Sequence, residues 1–185
     1  MVDWDRRYKE GFYNGAKEPH SLLKRYWPAI PMGWVIDIAM GGGRDALFLA
    51  EQGFSVCGLE RSTEAIKKAL QAFNEAHTTV RIVHGDANAL PFKHNKVSGV
   101  VVFYFLVRSI MKDLVAMLRN GGVIIYETFL KRQNLIDRWR NPEYLLDDGE
   151  LIEHFSNLEL LFYEEKIYIH DGKKRAVAQF VGRKT

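Results

Sequence analysis

The chain of 185 residues and 21.4 kDa has room for one compact domain, at about 150 residues per domain. Apolar residues at 47%, charged at 26% and aromatic at 12% exclude the disordered and fibrous classes. The 26 Lys and Arg against 23 Asp and Glu leave +3, and the basic residues are scattered rather than gathered on one surface, so a nucleic-acid partner is not expected.

Residues 1–7 are charged and aromatic and lack the apolar stretch of a signal peptide, so a soluble, cytoplasmic chain is expected. Residues 4–19 show no clear periodicity and read as a covering segment, and residues 21–27 predict a short helix. Residues 35–39 are an apolar run left through Gly41-Gly42-Gly43, which reads as a buried strand. Residues 44–52 predict a helix with Ala46, Leu49 and Ala50 on one face and Gly53 as its stop. A second strand is expected at 54–59, containing the one cysteine, Cys57, which leaves no intrachain disulfide. Ser62 then caps a helix with Ile66, Ala69, Leu70 and Phe73 at helical spacing.

Further strands are expected at 79–83, 97–105 and 123–126, with a helix at 109–120 stopped by Gly121-Gly122. The longest apolar run, 100–107, is far short of the roughly 18 residues of a membrane span. A helix at 148–155 precedes strands at 158–169 and 175–181, separated by the short-loop signal Asp171-Gly172. No linker or repeat intervenes. The expectation is a single domain over 1–185, with a cap at 1–30 and a core at 33–185. Its fold class is α/β, a Rossmann-like, doubly wound and mostly parallel sheet of seven strands whose last strand is antiparallel, in a C-terminal hairpin.

In such a sheet ligands bind beyond the carboxyl ends of the strands, which places the loop of Asp37, Ala39, Gly41, Gly43 and Arg44 at the crevice. Glycines let a backbone approach a ligand, and the helix that follows suits an anion. Gly41-x-Gly43-x-x-Ala46 with Glu60 also fits a dinucleotide fingerprint, so a nicotinamide-dependent oxidoreductase stays open. Asp37 beside the loop and Gly85-Asp86-Ala87 after the third strand favour a ligand carrying an ammonium group next to its carboxylate, as S-adenosylmethionine does.

At these residues the chain resembles the class I S-adenosylmethionine-dependent methyltransferases, and within them the tellurite-resistance, TehB-like branch. The resemblance runs over residues 4–19, 35–53, 56–62, 85–87 and 118–129. It implies that Asp37, Gly41 and Gly43 hold the methionine portion of S-adenosylmethionine and that Arg44 shapes the rim. It implies further that Glu60 takes both ribose hydroxyls, that Arg61, Asp86 and Ala87 surround the adenine, and that Phe103 lines the methyl-transfer mouth. Met40 stands where the family often has Cys or Gly and would crowd the loop; Val107 stands where a polar residue is common, which removes an acid-base role there.

Methyl transfer from a sulfonium needs mainly alignment, with a general base only for a protonated acceptor. No nucleophilic triad is needed and none is present. Acceptor-side candidates are Tyr8 and Tyr13 from the N-terminal segment, Arg108 after the fourth strand and Glu127 after the fifth. The expected partner is a small-molecule acceptor: a thiol, a metalloid oxyanion or a small metabolite. A module that binds S-adenosylmethionine without turnover is the third reading. The six histidines show no metal-ligand spacing, Asn141-Pro142-Glu143-Tyr144 reads as a loop, and the basic cluster Arg138-Trp139-Arg140 reads as a solvated surface.

Overall fold

A computed structural model describes residues 3–13, 18–137, 139–170 and 172–185. Arg138 of the basic cluster, Asp171 of the hairpin signal and residues 1, 2 and 14–17 of the expected cap lie outside the described residues.

Seven strands form one sheet: β1 (Trp34–Ile38), β2 (Ser55–Glu60), β3 (Arg81–His84), β4 (Val97–Phe103), β5 (Leu118–Phe129), β6 (Glu159–His170) and β7 (Lys173–Arg183). Their order is β3-β2-β1-β4-β5-β7-β6. The β1–β2, β2–β3, β1–β4 and β4–β5 pairs are parallel, and β7 runs antiparallel to both β5 and β6. The chain leaves β1 toward β2 and later returns to its other side as β4, so the strand order reverses at β1 and opens a crevice there.

Strand periodicity divides the core into two layers. Ile36, Val100, Val102 and Tyr126 pack on one surface of the sheet with Met111 and Leu114 of α5 (Met111–Met117) and Leu151 of α6 (Glu150–His154). Val35, Val56, Val101 and Ile125 pack on the other. They meet Leu23 of α2 (Ser21–Tyr26), Leu49 of α3 (Arg44–Glu51) and Phe73 of α4 (Thr63–Glu75). Ser62 caps α4 by accepting from the Ala65 amide at 3.1 Å. The buried positions of α4 are Ala65, Ala69 and Phe73, four residues apart, whereas Leu70, one step around the helix, is 46% exposed rather than part of that stripe.

Three elements differ from the sequence expectation. The helix expected at 109–120 is cut to one 3₁₀ turn (Arg108–Ile110) followed by α5, because Leu118 already pairs with Val97. Gly121 (φ +77°) does not stop a helix but sits inside β5, where its amide donates to the Lys184 carbonyl at 2.7 Å. The segment without periodicity contains a helix, α1 (Trp4–Lys9), capped by Asp3 and burying none of its residues. α1 docks through polar contacts: Asp5 accepts from the Ser62 hydroxyl (2.7 Å) and the Glu64 amide (3.1 Å), and Lys68 donates to the Tyr8 carbonyl (2.6 Å).

Candidate active site

The loop between β1 and α3 opens with Ala39 in the left-handed region (φ +55°), followed by Gly41 (φ +58°) and Gly43 (φ +78°). Met40 turns away from the crevice: its side chain is 6% exposed and packs where a Cβ on Gly58 would stand, so the crowding expected from it falls in the core. Gly43 has a packing reason of its own, since a Cβ there would collide with Phe73 and Ala69 of α4. At Gly41 the space is taken by the Tyr8 hydroxyl, which brings α1 over the loop.

Glu60, at the end of β2, ties two loops together. Its Oε2 accepts from the Gly41 amide (2.9 Å), and its Oε1 from the amides of Arg61 (2.9 Å) and Ser62 (2.7 Å). A carboxylate offers about four acceptor positions. Three are filled by backbone, which leaves Oε2 one position for a ligand.

Asp37 lies one strand position from the loop, 3% exposed, and its Oδ2 has no hydrogen-bond partner among the described residues. Burial, then the charges of Asp45 and Glu60, hold its carboxyl well above the usual range; Arg44 and the Ala46 amide pull it back only in part. An orphaned buried acid is costly to keep unless a cation meets it.

A neighbouring buried pair was not found from the sequence. His20 donates its backbone amide to Asp45 Oδ1 at 2.9 Å, and its Nδ1 lies 2.7 Å from Asp45 Oδ2. Asp45 can only accept and Arg44, which bonds the His20 Nε2, can only donate, so the partners assign the proton to Nδ1. Burial raises the Asp45 carboxyl, but His20 and Arg44 outweigh it and hold the acid below its ordinary value. The imidazole stacks on Phe103, centroids 3.9 Å apart at 7°. No periodic or spacing signal marks His20, because its partners lie 24 and 25 residues away.

Asp86 and Arg61 pair at the half-exposed rim (3.3 Å), and Asp86 Oδ1 accepts from the amide and side chain of Asn88 (2.9 and 2.7 Å). Ala87 beside them is buried. The structure therefore sets Asp37, Ala39, Gly41, Gly43, Arg44, Glu60 and Phe103 together at the carboxyl ends of β1, β2 and β4, with Arg61, Asp86 and Ala87 on the β3 side.

The acceptor-side candidates separate. Tyr8 reaches the glycine loop and packs against Tyr13, the ring centroids 4.7 Å apart and the planes tilted by 36°; burial, then Glu60 and Tyr13, push its phenol above the usual range. Arg108 clamps a neighbouring loop, donating to both oxygens of Glu150 (2.5 and 2.8 Å) and to the carbonyls of Glu143 (2.8 Å) and Leu145 (2.9 Å). Glu127 is 1% exposed and accepts from Tyr104, Tyr168 and Gln179 at 2.7, 2.9 and 2.6 Å.

The strand order is the fold shared with solved S-adenosylmethionine-dependent methyltransferases. Residues 35–122, which carry the glycine loop, Glu60 and Asp86, match the family model described as a methyltransferase domain. The chain superposes on TehB from Haemophilus influenzae with a TM-score of 0.78 at 19% identity, covering 98% of this chain and 67% of that one. It also superposes on a S-adenosylmethionine-dependent methyltransferase from Methanosarcina mazei, TM-score 0.72 at 19% identity, covering 90% and 98%. A sequence relative, "Hemagglutinin 1" of Eikenella corrodens, is 26% identical over 162 residues, which is 83% of this chain; the chain spans about half of that relative's length, 53%. A dinucleotide-binding sheet has the order 3-2-1-4-5-6, and the antiparallel β7 inserted between β5 and β6 departs from it. Among the described residues no helix is long and apolar enough to cross a membrane.

The residues fit the methyl donor. Its ammonium and sulfonium are cations, suited to a pocket in which Asp37, Asp45 and Glu60 outnumber Arg44 and Asp37 keeps an oxygen without a partner. Its ribose hydroxyl suits the remaining position on Glu60 Oε2.

Proposed function

We propose that the chain, as one domain with its N-terminal segment as a cap, transfers a methyl group from S-adenosylmethionine to a small-molecule acceptor. The observation that carries this is the buried Asp37 oxygen without a partner beside the glycine loop. The donor supplies an electrophilic methyl on a cationic sulfur. Asp37 would hold the amino-acid end, the backbone of the Gly41-Gly42-Gly43 loop would border it, and Glu60 would fix the ribose. Arg61, Asp86 and Ala87 would border the base. Phe103, held flat by His20, would wall the path to the acceptor, and α1 with Tyr8 would exclude water above it.

Support for a small acceptor comes from the short elements that border the glycine loop, α1 and the loop that follows β5. Incubation of the full chain with labelled methyl donor and a metabolite panel tests the reading. Transfer to at least one acceptor above the buffer rate is expected; binding of the donor without transfer to any would make the chain a binding module instead.

A further inference from the structure

Beyond Phe103 a second cluster begins that the cofactor crevice does not use. Tyr104 follows β4 with φ +53°, and Ala39 follows the adjacent β1 with φ +55°. Left-handed backbone is costly for an aromatic residue and concentrates at functional sites. Both residues stand at the carboxyl ends of the two strands that flank the crevice.

The Tyr104 hydroxyl, the Tyr168 hydroxyl and Glu127 Oε1 form a triangle with sides of 2.7, 2.9 and 3.0 Å. Burial, then the Glu127 charge, push both phenols up, Tyr168 to about 12, so both keep their protons. An ionised carboxylate only accepts. The phenolic protons are therefore held inside the triangle, and Tyr104 has only oxygen lone pairs to offer a visitor.

Phe129 stacks on the Tyr104 ring, centroids 4.6 Å apart, and the Arg175 guanidinium lies 5.0 Å from the centroid of the same ring. Arg175 is partly buried and makes no hydrogen bond or ion pair with a described residue. A guanidinium held by a cation–π contact, with its planar fork of donors unused among the described residues, is suited to receive a carboxylate. His20, its ring 5.2 Å from that of Tyr104, joins this cluster to the cofactor crevice.

We infer that Arg175 and Tyr104 form the acceptor site and that the acceptor is a small carboxylic acid bearing a hydroxyl or an amine. The carboxylate pairs with Arg175, and the O–H or N–H donates to the Tyr104 oxygen; as that O or N takes the methyl and the methyl–sulfur bond breaks, its proton passes to Tyr104 while the Tyr104 proton moves to Glu127 Oε1. The inference rests on the methyl-transfer reading, and it sets aside neutral thiols, which offer Arg175 no charge.

The test is calorimetry on the full chain saturated with S-adenosylhomocysteine. It is titrated with 4-hydroxybenzoate, 3-hydroxypropanoate and anthranilate, and with neutral 4-hydroxybenzamide. At least one acid should bind, at least tenfold more tightly than the amide. Arg175→Ala should weaken that acid at least tenfold and Arg175→Lys less, with S-adenosylhomocysteine affinity and thermal midpoint kept in both. Binding of no acid above the amide, or undiminished binding to Arg175→Ala, overturns the inference. If S-adenosylhomocysteine itself does not bind, the cofactor reading fails; the same acids are then titrated onto the free chain, where dependence on Arg175 still decides this one.

Discussion

The Tyr8 hydroxyl stands against the α-carbon of Gly41, at the point a Cβ would occupy, so the N-terminal helix and the glycine loop are matched surfaces. Gly41→Ala should cost about 1–2 kcal/mol for left-handed backbone alone and should push Tyr8 off the loop. Adding Tyr8→Ala removes the collision, so the double variant should be less destabilised than the two single changes summed. Thermal denaturation of the four proteins measures this coupling. Strict additivity would mean that Tyr8 does not rest on Gly41.

Gly43→Ala should be the more damaging change in the loop. Its Cβ meets the Phe73 ring and the Ala69 methyl at 2.5–2.9 Å, and neither can swing clear of the α3–α4 contact. A loss of about 2 kcal/mol is expected, a fall of about 4–8 °C in Tm for a chain of this size. Gly42→Ala, with nothing within 4 Å of its Cβ, is the control and should shift Tm little.

Asp37 gives a signed pH effect. With its carboxyl raised in the folded chain, the native state holds a proton that the unfolded state has already lost above 3.8. Between that value and the raised native one, this group makes ligand-free stability fall as pH rises. Asp37→Asn should remove that slope and raise the denaturation midpoint at neutral pH, while weakening the methyl donor at least tenfold. An unchanged slope in chemical denaturation at several pH values would show that Asp37 is not the group responsible.

Arg108 should behave as a clamp. Burial raises Glu150, yet the Arg108 bonds and the Asp147 amide hold it down to about 2. The pair therefore stabilises the fold above 4.5, and that contribution fades as pH falls toward 2. Arg108→Ala should cost about 1–2 kcal/mol, discounted for its exposed edge. The cost should shrink in a Glu150→Gln background, with cofactor affinity retained throughout. Loss of cofactor affinity in Arg108→Ala would place the residue in the crevice instead.

The sheet was legible because its buried strands are short apolar runs ended by glycine or an acid, and the Gly41-Gly42-Gly43 loop with Asp37 and Glu60 follows from that order. α1 was not legible. It buries no residue, so no apolar stripe marks it, and its support from Ser62, Glu64 and Lys68 arrives from 57–60 residues away. The His20–Asp45 pair and the Tyr104–Tyr168–Glu127 triangle escape a linear reading for the same reason, since each joins elements that only the folded sheet brings together. The helix expected at 109–120 was overrun by strand pairing of Leu118, a tertiary contact that overrides local propensity.

Isothermal titration of the full chain with S-adenosylhomocysteine, beside Asp37→Asn and NADH, bears most directly on the central claim. Micromolar binding, about −8 kcal/mol, lost at least tenfold in Asp37→Asn and with no heat from NADH, is the expected result. Folded protein that gives no heat with S-adenosylhomocysteine or S-adenosylmethionine, or that takes NADH in their place, would contradict it.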